Sequence, residues 1–195
     1  MGFEDSELVP LYNDVQVGVV LREYHGLARD LWGITKIKTA GGTEHAVVVR
    51  DMLHRPDYRI YFAAAKTSML GLQEMEAAFV DPAFPLTLGR SDELILVRTL
   101  SERKLQAASA DDYYRYTVLP FDYRKRKHIL EQLTASSRPT LELPQVFRLP
   151  ISFAYDATRK RVVQQYGVFT HVLSTAVKLE NNVGWRDEHE RFFLY

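Results

Sequence analysis

Trp32-Gly-Ile-Thr-Lys-Ile-Lys38, a break at Gly41-Gly42, and then Val47-Val-Val-Arg50 form the stretch on which the fold turns. Glycines punctuate the first part and Val47–Arg50 resumes an extended pattern after the glycine pair, for which the simplest account is two strands joined by a bend. A long hairpin or finger is therefore expected, with Gly41 and Gly42 at its tip. Before it, Val15-Gln-Val-Gly-Val-Val-Leu21 is β-branched and partly alternating and reads as a strand. After it, Asp57-Tyr-Arg-Ile-Tyr-Phe-Ala63 sets Tyr58, Ile60 and Phe62 against Arg59 and Tyr61, a half-buried strand.

Further along, residues 67–80 read as a helix capped by Thr67 or Ser68. Leu72, Met75 and Phe79 fall on one face, Gly71 weakens the segment, and Asp81-Pro82 ends it. Leu94-Ile-Leu-Val97 reads as a short buried strand and residues 101–118 as a polar connection with tyrosines at 113, 114 and 116. Residues 122–133 look helical, basic in front and apolar at Ile129, Leu130 and Leu133. Pro139, Pro144 and Pro150 enforce an extended crossing. A closing hairpin comes next, from Ile151–Tyr155 through a turn at 156–160 to Arg161–Val172, with a polar tail ending in Phe192, Phe193 and Tyr195. Strand, finger, strand, helix, strand and hairpin make an α+β pattern, compatible with a ferredoxin-like, RNA-recognition-type sheet and with several other α+β folds.

Composition narrows the chemistry. The 195 residues suffice for one sizeable core, and 46% hydrophobic with 26% charged residues is ordinary for a folded globular chain. With no cysteine, disulfides, thiolate catalysis and thiolate metal sites are excluded. No apolar run approaches the roughly 20 residues of a membrane helix, and the acidic start Met-Gly-Phe-Glu-Asp is no targeting signal. These features point to a cytoplasmic protein. The six histidines lack metal-helix spacing, no nucleophile motif or Walker loop is present, and neither a metal nor another cofactor is expected.

Net charge is zero, but its distribution is uneven. Residues 1–14 hold four acids and no base, whereas residues 124–161 hold nine Lys or Arg against Glu131, Glu142 and Asp156. Such asymmetry suits one polyanion-facing side and another that meets protein. Arg124-Lys-Arg-Lys127 is the strongest run. It is either a solvated face or a phosphate contact with Tyr113, Tyr114 and Tyr123 offering faces for bases to stack on.

Asp81-Pro-Ala-Phe-Pro-Leu-Thr-Leu-Gly-Arg90 leads straight into Leu94–Val97. Gly89 permits close backbone approach, and Arg90 places a planar cationic fork beside it, suited to phosphate or a base edge. Three segments, Gly18–Lys38, Val47–Leu53 running into Pro56-Asp-Tyr-Arg-Ile-Tyr61, and Met75–Arg90, together and in this order resemble the CRISPR-associated Cas-five family. These are RAMP proteins that form the 5′-handle subunit of type I Cascade complexes. Family members open with a strand and an Arg-containing helix start. This chain opens at a sequence resembling the family's stretch just after that helix, so a shortened front is expected.

The resemblance implies a ferredoxin-like RAMP domain over 1–100 with a thumb at about 33–50, and a β-rich extension over 101–195 packed on it. It implies an RNA-binding structural subunit acting in antiviral defence in a prokaryotic cytoplasm, without catalysis. Its partners would be the CRISPR RNA 5′ handle, the Cascade backbone and large subunits and, indirectly, target DNA, with no membrane. The RNA-binding residues would be Lys36, Lys38, Gly41, Gly42, His45, Arg50, Gly89 and Arg90. In one subtype of the family the subunit cuts precursor RNA without metal, and Tyr24, Lys36 and His45 are the groups that could serve. A protein-interaction module is the third reading. In the obligate-subunit picture, protein neighbours cover an opened sheet edge and part of the tail at Phe192, Phe193 and Tyr195.

Overall fold

The computed structural model describes residues 15–38, 41–64, 71–88, 93–132, 143–155, 157, 161–173, 175–181 and 184–195. Among these the chain is sheet-rich α+β, with one α-helix. It forms two compact units, Leu21–Arg59 and the remainder on either side, up to Val20 and from Ile60 to Tyr195.

The larger unit is organised by a five-stranded sheet in the order β4-β1-β7-β10-β9. Its strands are β1 (Val15–Glu23), β4 (Asp57–Ala64), β7 (Thr117–Leu119), β9 (Gln145–Tyr155) and β10 (Arg161–Val172). The short β7 joins the halves, pairing antiparallel with β1 at Val20↔Thr117 and with β10 from Thr170↔Leu119 to Val172↔Thr117. Thr117 and Thr170 are buried here because their hydroxyls have backbone partners. Thr117 Oγ1 donates to Val19 O at 2.7 Å; Thr170 Oγ1 donates to Phe121 O at 2.6 Å and accepts from Tyr123 N at 3.1 Å.

Val20, Tyr61 and Phe192 form one buried cluster. Tyr114, Leu119, Tyr123, Val172, Val177, Leu179 and Phe193 form another. The aromatic tail is thus core and not a surface for neighbours, which corrects the expectation for Phe192 and Phe193; both are buried, and only Tyr195 stays well exposed. Phe192 stacks on Tyr61 with ring centroids 3.7 Å apart, and Tyr61 Oη donates to Asp187 at 2.8 Å. Val17 and Tyr195 exchange backbone hydrogen bonds at 2.9 and 3.1 Å, so the tail lies along β1. Gly18 is what allows this approach, since a Cβ there would stand 2.6 Å from Phe192 Cδ2 and 2.8 Å from Phe193 O.

Smaller sheets finish the unit. Strand β6 (Tyr113–Tyr114) and β8 (His128–Gln132) flank β11 (Thr175–Leu179); β5 (Gln106–Ala107) and β13 (Arg191–Phe192) flank β12 (Trp185–Arg186). The helix expected over 122–133 is absent in its described part, 122–132. Asp122 instead caps a single 3-10 turn at Tyr123–Lys125, and His128–Gln132 pairs along its whole length with β11. Pairing that buries Leu130 against the core overrides a helical pattern whose Ile129 points to solvent. Residues 101–118, expected as a connection, carry β5, β6 and the start of β7, and supply the fully buried Tyr114. The buried strand expected at Leu94–Val97 is not one. A lone bridge joins Thr87 to Leu94, and Leu94 and Leu96 are 71% and 81% exposed.

The helix α1 (Leu72–Val80) starts after Gly71, whose N–H donates to the Glu74 carboxylate at 2.9 Å, and Asp81 ends it. Thr67 and Ser68, the expected caps, lie outside the described residues. Met75 and Phe79 are half-buried, and Phe79 meets Phe62 of β4 at 5.3 Å between ring centroids. The closing hairpin is longer than expected: β9 begins at Gln145 and contains Pro150. That strand tolerates a proline because β9 is an edge of its sheet.

The smaller unit is the finger. Strands β2 (Leu27–Ile37) and β3 (Thr43–Leu53) pair without a bulge from Leu27↔Leu53 to Ile37↔Thr43. His25 N donates to His54 O and His54 N to Gly26 O, both at 2.8 Å, closing the base.

Candidate nucleic-acid interface

The finger brings most of the expected site residues onto one hairpin and orders them along it. At the tip, Gly41 N donates to Lys38 O at 3.0 Å and Lys38 N to Gly42 O at 3.1 Å, with Gly41 and Gly42 at φ of 85° and 89°. Those dihedrals strain any residue with a side chain, so both glycines have a structural task in the turn.

Register divides the remaining groups between two faces. Lys36 lies opposite Glu44 on one face, and Lys38 Nζ is 3.6 Å from the Glu44 carboxylate. Thr35 and His45 share the other face, with Thr35 Oγ1 3.4 Å from His45 Nδ1. Arg50 pairs with Asp30 six residues nearer the base, roughly 20 Å from the Glu44 position at strand spacing. Its guanidinium stacks on Trp32 at 4.3 Å from the ring centroid, and Nη2 lies 2.8 Å from Met52 Sδ. Arg50 is therefore half-buried against its own hairpin, whereas Lys36, Lys38 and His45 are exposed near the tip. Tyr24 lies at the base, at the opposite end of β2 from Lys36 and His45, so the three groups of the nuclease reading are not assembled.

The sequence did not signal how apolar the finger's surface is. Leu27, Leu31, Ile37, Val47 and Val49 are all exposed and, by register, stand on the His45 face. Between them Arg29 Nε and Asp51 make a 2.9 Å ion pair, and the hydrogen bond to Asp51 raises the Arg29 pKa.

Gly89 and Arg90 lie outside the described residues. The segments flanking them converge, with Leu88 N donating to Glu93 O and Ile95 N to Leu86 O, both at 2.9 Å. Beside these flanks Phe79, Pro82, Pro85, Leu86, Leu94, Ile95 and Val97 line an apolar cleft of about 340 Å³.

The basic run proves largely self-satisfied. Arg124 forks onto Asp122 at 2.8 and 2.9 Å, Arg126 stacks on Phe121 at 4.0 Å, and Lys127 reaches Glu180 at 3.3 Å. The hydrogen bond from Arg124 holds the Asp122 carboxyl below the usual carboxylate range, against a smaller effect of burial. The expected stacking platform also fails for two of its three tyrosines, because Tyr114 and Tyr123 are core. Tyr113 is half-buried with the Lys178 ammonium 5.7 Å from its ring centroid.

Among the described residues no three His, Asp or Glu side chains are placed to hold a metal, and no helix is long and apolar enough to cross a membrane. No family model, curated protein or solved structure matches the chain.

Proposed function

We propose that this chain is an RNA-binding structural subunit of a CRISPR Cascade-type complex, built on a RAMP sheet of the ferredoxin-like kind, and that it holds the 5′ handle of the guide. The observation that carries this reading is the finger itself. A hairpin forming its own compact unit is inserted between β1 and β4, which are neighbours in the main sheet, and ends in Lys36, Lys38 and His45 around a glycine turn. That arrangement supports the thumb expected from the order of the three motifs. Cations at the tip suit phosphates, while the aliphatic face formed by Leu31, Val47 and Val49 suits a protein neighbour of the backbone-subunit type. The separation of Tyr24 from His45 favours binding over cleavage in this reading.

Co-expression with a guide RNA carrying the repeat-derived 5′ end tests this. Retention of a discrete short RNA is expected, and Lys36→Ala/Lys38→Ala weakens it about tenfold, two phosphate contacts being lost. A well-folded chain that retains no RNA, or retains it equally in the variant, overturns the reading.

A further inference from the structure

Two arginines face each other across the small sheet of β5, β12 and β13. Arg186 is paired with Arg191 on one side and with Gln106 on the other, so the three side chains form one row on one face. Like charges directly opposite each other repel. A single carboxylate, that of Asp112, serves both, and it serves them unequally. Arg191 Nε donates to Oδ1 at 2.9 Å, while Oδ2 accepts from Ser109 N at 2.6 Å. Arg186 Nη1 stands 3.9 Å from that Oδ2, beyond hydrogen-bond reach. Its Nη2 has a long bond to Gln106 Oε1, at 3.3 Å, and its Nε is buried without a hydrogen-bond partner among the described residues. Asp187, the next residue, is committed elsewhere. Its carboxylate accepts from Tyr61 Oη and from the N–H groups of His189 and Glu190. The row thus keeps an excess of positive charge, on side chains that are 37% exposed at Arg186 and 28% at Arg191.

We propose that Arg186 and Arg191 form a binding site for a phosphate group, which bridges the two guanidinium ions. A tetrahedral oxyanion presents acceptors in several directions, so it takes donors from two planar forks at once. It also relieves the repulsion between them, which Asp112 does for Arg191 and leaves half done for Arg186. The site lies in the larger unit, uses none of the finger's residues and stands whether or not the finger holds RNA. A phosphodiester of a nucleic-acid backbone and a free phosphate carry this chemistry alike.

The test uses the full chain and radiolabelled inorganic phosphate in equilibrium dialysis at constant ionic strength. Saturable binding is expected, with a Kd of about 1 mM or tighter. Arg186→Gln keeps a polar side chain and removes the charge. It is expected to weaken binding at least about tenfold, the loss of one hydrogen bond between charged groups, without lowering the melting temperature. Lys36→Ala/Lys38→Ala should bind phosphate as the unaltered chain does. Competition then separates the sources. Displacement of the label by oligouridylate assigns a nucleic-acid backbone, displacement by a nucleoside monophosphate alone assigns a phosphate monoester, and displacement by neither assigns inorganic phosphate. A lack of saturable binding overturns the proposal, and so does binding unchanged in Arg186→Gln or lost in the lysine variant alone. Guide retention on co-expression is read separately, so the proposed function and this site fail independently. Should Arg186→Gln misfold, phenylglyoxal labelling of the unaltered chain, read by mass spectrometry, decides. Phosphate that protects Arg186 and Arg191 supports the site; protection confined to other arginines, or none, overturns it.

Discussion

Asp112 shows how single side chains hold the smaller sheets together. Arg191 Nε donates to its Oδ1 at 2.9 Å and Ser109 N to its Oδ2 at 2.6 Å. Burial, the largest single influence, pushes this carboxyl up, but the hydrogen bonds from Arg191 and Ser109 together outweigh it and hold it below the ordinary range. A depressed carboxylate stabilises the fold above its unfolded pKa, about 3.9, and that contribution is lost as pH falls through the folded value. His171 adds an earlier step, because burial lowers its pKa from about 6.5. Its contribution is complete above about pH 6.5 and disappears as pH falls toward the folded value. Thermal melts against pH should therefore show two acid losses, and His171→Gln should flatten the first alone. Asp112→Ala should cost about 1–3 kcal/mol at pH 7, measured by urea unfolding. At Gly18 the obstacle is steric, and Gly18→Ala should lower stability by a similar 1–3 kcal/mol through overpacking against Phe192. On the proposed function, Arg90→Ala should weaken retention of the 5′ handle by about 1–3 kcal/mol, measured by RNA retention on co-expression.

Elements were legible in the sequence where the signal was local. The finger, its bend at Gly41-Gly42, β1, β4 and the end of α1 at Asp81 all derive from alternation and from Gly or Pro punctuation. Strand β8 was not legible, because Arg124–Leu130 has a helical pattern and becomes a strand only through β11, more than forty residues later. The strand face from Phe147 to Tyr155 does alternate, but Pro144 and Pro150 mask it, and the tail reads as polar until Phe192 meets Tyr61. Of the expected site residues, 36, 38 and 45 were legible as neighbours of the turn, but not their division between two faces. The Trp32 stacking that half-buries Arg50 depends on cross-strand register and was not. Deleting Gly41 to Glu44 should leave the main unit folded, since the tip contributes little burial. Deleting Arg191–Tyr195 should unfold it, since Phe192 and Phe193 each contribute about 1.5–3 kcal/mol of apolar burial. Circular dichroism melts of the two deletions make the comparison.

Across the whole molecule, stability is unevenly distributed. A lone two-stranded hairpin is marginal in water, and the finger has two strands and an exposed aliphatic face. Hydrogen exchange should therefore be fast over Leu27–Leu53 and slow over Thr117–Leu119 and Thr170–Val172, where buried strands pair on both sides. On the proposed function, guide RNA should slow exchange in the finger by binding its folded form. Equal protection throughout would mean that the finger is as stable as the core.

The pairing of Val17 with Tyr195 also has a consequence in time. Strand β1 is synthesised long before the residues that cover it, Phe192 through Tyr195, which lie about 170 residues further along the chain. Contacts so distant in sequence give a high contact order and slow folding, in milliseconds to seconds. Throughout elongation Val20 and Tyr61 must wait without Phe192, so the nascent chain carries an open apolar seam. Ribosome-stalled chains ending before Trp185 should leave β1 open to protease, and release of the full chain should close it.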